Sequence, residues 1–179
     1  MANTSLLNLA NRKKFQFFVV NQELENLGLR LISKYSVFFF QFLEKQIQIV
    51  NWHYVNNPSG GFWNAVLNWD YWGDYPAYLQ LEQGKLCFKI STDPDEVEVP
   101  ENLTRAEIRN QLHNLILTKS SEFGLKHIRR PDRFGNGNYM TVAIVDRENW
   151  LGADNDRLDK ETVVKTLTDY LTFLRDIIK

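Results

Sequence analysis

The sequence predicts an α+β fold, an antiparallel sheet of about five to six strands with three main helices packed on it. Three observations predict it. Apolar and polar residues alternate through residues 75–90, the period of strands with one covered face. Helical apolar spacing then appears over residues 104–119 and again over 159–179. Turn residues, Asn57-Pro-Ser-Gly-Gly61 and Glu82-Gln-Gly84, punctuate the strand-like runs.

Residues 1–20 read as an N-terminal arm and residues 21–179 as a single α+β domain. Within the arm, Leu6, Leu7 and Leu9 suit a short helix, and residues 14–20 fit either a strand or the start of the next helix. Asn21 can cap a helix over residues 21–49, with Leu24, Leu27, Leu31, Tyr35, Phe38 and Phe42 near helical spacing. Residues 49–55 and 62–68 form two aromatic strands on either side of the Pro58 turn. Residues 75–81 and 85–90 form a hairpin in which Gly84 supplies the left-handed position. The intervening run Asn68-Trp-Asp-Tyr-Trp-Gly-Asp-Tyr75 is charged and glycine-containing, so it reads as a loop that exposes Trp69 and Trp72.

The acidic, proline-bearing residues 91–101 form a surface loop. Thr104 with Glu107 is a capping box for the helix that follows, with Ile108, Leu112, Leu115 and Ile116 as its apolar stripe and Gly124 beyond its end. Residues 126–130 suit a short strand, and residues 139–145 a clear one. Asp159 caps a last amphipathic helix with Val163, Val164, Leu167, Leu171, Leu174 and Ile178 inward.

Composition narrows function by exclusion. A chain of 179 residues with 44% hydrophobic and 13% aromatic residues buries a real core. Lys+Arg 21 against Asp+Glu 22 excludes a globally basic nucleic-acid binder but not a local basic face. Cys87 is the single cysteine, which excludes an internal disulfide and, with three scattered histidines, a thiolate metal cluster. It reads as a small buried hydrophobe in a strand. No signal-peptide layout appears, and residues 36–43 are too short to span a bilayer. A cytoplasmic protein with no cofactor, no metal and no membrane partner is expected.

The runs Tyr78-Leu-Gln-Leu-Glu82, Lys85-Leu-Cys-Phe-Lys-Ile90, Arg133-Phe-Gly-Asn-Gly137 and Met140-Thr-Val-Ala143 resemble the C-terminal region of a bacterial family of PD-(D/E)XK-superfamily nuclease-like proteins. Asn56-Asn-Pro-Ser-Gly-Gly-Phe62 and the closing helix fit the same region. The resemblance implies a nuclease core in which an Asp and an acid one residue before a Lys hold Mg²⁺. The nearest set here is Asp74, Glu82 and Lys85, and its spacing departs from that pattern, with Gly84 bending the chain between acid and lysine. The expectation is therefore a chain without the catalytic core. It would be a non-catalytic binding protein for nucleic acid, RNA favoured, or a nucleoprotein effector. A phage-type inhibitor of an RNA-guided nuclease, of the anti-CRISPR kind, fits that role.

The candidate contact residues are Lys126, Arg129, Arg130 and Arg133, joined by Arg12, Lys13 and Lys14 of the arm and by Trp69 and Trp72 as stacking platforms. The bland alternative is a solvated face in which arginine pairs with Asp132 or Asp146. Two other functions stay open. One is a protein–protein module that uses the apolar stripe of residues 37–43, with a second copy as a partner. The other is a divergent Mg²⁺-dependent nuclease built on Asp74, Glu82 and Lys85.

Overall fold

The computed structural model describes residues 47, 50–55, 62–82, 84–135, 137–151 and 160–179. The arm with Arg12, Lys13 and Lys14, the turn at 56–61 and Asp159 lie outside these residues. So does the predicted helix over 21–49, apart from Ile47, which sits at a bend and is buried in the core.

The described chain is α+β. Its strands are β1 (Asn51–Val55), β2 (Phe62–Val66), β3 (Asp70–Trp72), β4 (Tyr75–Glu82), β5 (Lys85–Ser91) and β6 (Tyr139–Val145). Its helices are α1 (Arg105–Glu122), the single turn α2 (Arg147–Trp150) and α3 (Lys160–Ile177). The sheet is antiparallel in the order β1-β2-β4-β5-β6, and β3 lies beside the first half of β4 on the flank that β2 takes further along. Among the described residues no helix is long and apolar enough to cross a membrane.

Local chemistry explains the boundaries. The Thr104 side chain accepts from the Glu107 backbone N–H while the Glu107 carboxylate accepts from the Thr104 N–H, so α1 opens on the capping box. It runs past residue 119 to Glu122, and Gly124 at φ 72° carries the chain out of it. Gly84 at φ 78° makes the β4–β5 turn, across which Glu82 and Lys85 are paired neighbours. The run at residues 68–75 is a hairpin, not a loop: β3 turns at Gly73, φ 61°, into β4. Three short-range pairs with β4 outweigh its polar composition. Residues 126–130 do not form a strand either. Only Arg129 bridges β6, opposite Ile144.

The core lies between one sheet face and the helices. Ala77, Leu79, Leu81, Leu86, Phe88 and Ile90 meet Ile108, Leu112 and Ile116 of α1 and Leu167, Phe173 and Leu174 of α3. Phe88 makes edge-to-face contacts with Tyr170 and Phe173 at 6.3 and 6.0 Å. Each such fully buried side chain contributes about 2–3 kcal/mol, so Phe88→Ala is the change that breaks this layer most directly.

The second sheet face was expected to stay open, and it does not. Tyr78, Gln80, Cys87 and Lys89, which point away from Leu79 and Phe88, are buried as well. Burial there is made tolerable by pairing: Gln80 Nε2 and Lys89 Nζ both donate to Glu82 Oε2 at 2.9 Å. Burial also pushes the Cys87 thiol up to about 12, which keeps it protonated and unreactive.

Candidate nucleic-acid interface

The segment after α1 reaches the sheet through a pair of backbone bonds. Arg129 N–H donates to Ile144 O and Ile144 N–H donates to Arg129 O, both at 2.9 Å. This pins the arginine run along the outer edge of β6, and the run then divides into two halves of different character.

Arg129 is clasped. Its Nε donates to Asp146 Oδ2 at 2.6 Å and its Nη2 to Asp146 Oδ1 at 2.9 Å, a bidentate pair. Its Nη1 donates to Asp132 Oδ1 at 2.9 Å, and Lys85 approaches the other oxygen of Asp132 at 3.7 Å. Arg129 raises its own proton affinity through these hydrogen bonds, and Asp146 is held below the usual carboxylate range, first by the bonds from Arg129. Close by, Asp146 precedes α2, whose Trp150 is buried and donates its indole N–H to Gly84 O at 2.9 Å. Arg129 is therefore a fastener between the run, β6 and the β4–β5 turn. The bland pairing with Asp132 and Asp146 is what the structure contains at Arg129.

Arg130, Arg133 and Lys126 are exposed, and among the described residues none of them forms an ion pair. Arg130 places its guanidinium carbon 4.6 Å from the centroid of the Phe134 ring. Arg109, from the second turn of α1, lies over the same ring at 4.1 Å. His113, one turn further along α1, meets Phe134 edge-on at 5.3 Å and donates from Nδ1 to Val142 O of β6 at 2.6 Å. Arg109 and Phe134 escaped the sequence reading. The available signal was the four-residue step from Arg109 to His113, which sets both on the flank of the buried Ile108–Leu112 stripe.

The tryptophans do not join this surface. Trp69 is 37% exposed but stacks on Tyr78 at 4.7 Å and 14°, so one ring face is already taken. Trp72 is half-buried, packs against the core and lies 6.5 Å from Tyr75. The expected exposed pair is thus two residues serving opposite sides of the sheet. Four strand spacings separate Trp69 from the arginine run, roughly 20 Å, so one short ligand segment does not touch both.

The nuclease-like set is dispersed in the same way. Asp74 sits in the turn before β4 and Glu82 at its far end, about 25 Å away at strand rise. Glu82 takes Lys89 as its partner, and Lys85 turns toward Asp132. Among the described residues no three His, Cys, Asp or Glu side chains gather as a metal-ligating group. Comparisons with family models, curated proteins and solved structures return no significant match.

Proposed function

We propose that this protein is a non-catalytic binder of nucleic acid, RNA favoured, or of a nucleoprotein, and that Lys126, Arg130 and Arg133 carry the contact. The observation that carries the reading is the uneven use of acids along the run. Asp132 and Asp146 both pair with Arg129, and among the described residues its neighbours Lys126, Arg130 and Arg133 have no carboxylate partner. Cationic side chains without carboxylate partners on an exposed segment are what a phosphate backbone recognises. The resemblance of the flanking sequence to nuclease-associated proteins supports the same ligand class.

The test is fluorescence anisotropy with short single-stranded RNA and DNA across a salt series. Binding should weaken steeply with salt, and the triple change Lys126→Glu, Arg130→Glu, Arg133→Glu should abolish it, while Arg129→Lys leaves the salt slope unchanged. Nucleic-acid binding that survives the triple reversal refutes the assignment, and so does the lack of any binding by the unmodified protein.

A further inference from the structure

We propose that Arg109 and Arg130, carried on the ring of Phe134, form a phosphodiester site that takes the backbone of a nucleic-acid strand, with Phe134 as its positioning residue. The inference rests on the binding function proposed above and specifies what is gripped: phosphate, not base.

Three elements build the site. Arg109 comes from α1, Arg130 from the segment bridged to β6, and Phe134 from the turn that leads into β6. The guanidinium carbons of Arg109 and Arg130 lie 4.1 and 4.6 Å from the Phe134 centroid, which brings both cations to one aromatic ring. Like charges are not gathered this way without cost, and among the described residues neither guanidinium forms an ion pair: Asp132 is engaged by Arg129 and Lys85, and Glu107 by Thr104. Phosphate oxygens taken up by the two guanidiniums offset that cost and gain charge-assisted hydrogen bonds.

The ring also selects how the arginines present themselves. A guanidinium lying over an aromatic face is held by its π surface, so its N–H groups point outward in the plane. Arg109 uses Nε and Nη2 on Asn110 Oδ1, at 3.3 and 3.2 Å; among the described residues its Nη1 and the Arg130 side chain make no hydrogen bond. Phe134 is half-buried and already engaged by two cations and by His113, which makes it a poor platform for a base. The fork of donors fits the non-bridging oxygens of phosphodiesters, which RNA and DNA share.

The experiment uses the full chain and three labelled probes of one mixed sequence: single-stranded RNA, single-stranded DNA, and DNA with an uncharged methylphosphonate backbone. RNA and DNA should bind comparably and the uncharged strand should not. Arg109→Ala and Arg130→Ala should each weaken binding about tenfold or more and lower the salt slope by roughly 0.7, the value of one phosphate contact on a single strand. Phe134→Leu should reproduce that loss with both arginines present, and Phe134→Tyr should restore it. Thermal melts check that Phe134→Leu is folded; should it not be, the two arginine variants decide alone. If the arginine variants bind as the parent does while the Lys126, Arg133 pair remains essential, the phosphodiester site is wrong and the broader function stands. Equal binding of the uncharged strand overturns the site as well. If the parent binds none of the probes, both fall.

Discussion

The guanidinium of Arg129 is held by two carboxylates, whereas that of Arg130, the next residue, lies over an aromatic ring and, among the described residues, pairs with no carboxylate. Each half of the run is supported by its own neighbours. The first belongs to a cluster that includes Lys85, Asp146 and the Trp150 bond to Gly84, all tying loops to the end of the sheet. The second shares Phe134 with α1 and leaves its polar atoms toward solvent. The difference teaches that charge in a sequence does not measure charge available for binding. What counts is whether the fold supplies an acid.

That contrast can be broken most severely at Trp150. Trp150→Ala removes a buried ring and strands the Gly84 carbonyl, and should cost about 3–5 kcal/mol in urea unfolding. Any nucleic-acid affinity measured under folded conditions should change little. A smaller effect is expected at Arg129. Its side chain is 41% exposed, so screening limits the pair, and Arg129→Ala should destabilise by about 1 kcal/mol. Arg130→Ala should fall within about 0.5 kcal/mol of the parent. A larger loss at Arg130 than at Arg129 would erase the distinction between the two halves.

Acid sharpens the comparison further. Asp146 has a folded-state pKa below its unfolded value, chiefly through its hydrogen bonds from Arg129. Its contribution is therefore complete above the ordinary carboxylate value of about 4 and fades as pH falls through the lower folded value. The stability gap between the parent and Asp146→Asn should be steady near neutrality and shrink below about pH 4. Arg130→Ala, which removes no ion pair among the described residues, should track the parent throughout. The smallest effect is expected from Cys87→Ala near neutral pH. Its thiol is protonated there, so the change should cost packing alone, about 1 kcal/mol, with no pH dependence below pH 8, about the range where an ordinary thiol would titrate.

Much of the fold was legible because its signals are local. Thr104 and Glu107 announce the start of α1, Gly84 and Gly124 mark two changes of direction, and the alternation through β4 and β5 sets their register. The run from Asn68 to Tyr75 misled because its polarity resembles a loop, while pairing with β4 is decided by where β4 lies. The buried second face misled too: Gln80, Glu82 and Lys89 look solvated one at a time and become compatible with burial only as a hydrogen-bonded set. The candidate site was half legible. Arg130 and Arg133 stand in an obvious basic run, but Arg109 and Phe134 are 25 residues apart in sequence and meet only because Arg129 bridges β6. Nothing in local spacing says which arginine of the run will be neutralised.

The bond from His113 to the Val142 carbonyl has a bearing on how chains behave toward one another. Among the described residues β6 is the last strand of the sheet, and outward N–H and C=O groups on such a strand invite another polypeptide to add itself there. The Arg129 bridge occupies this rim at Ile144 and the imidazole occupies it at Val142. Between them they blunt a border that would otherwise template aggregation, and His113→Ala should show it as concentration-dependent turbidity on storage well before any change in secondary structure.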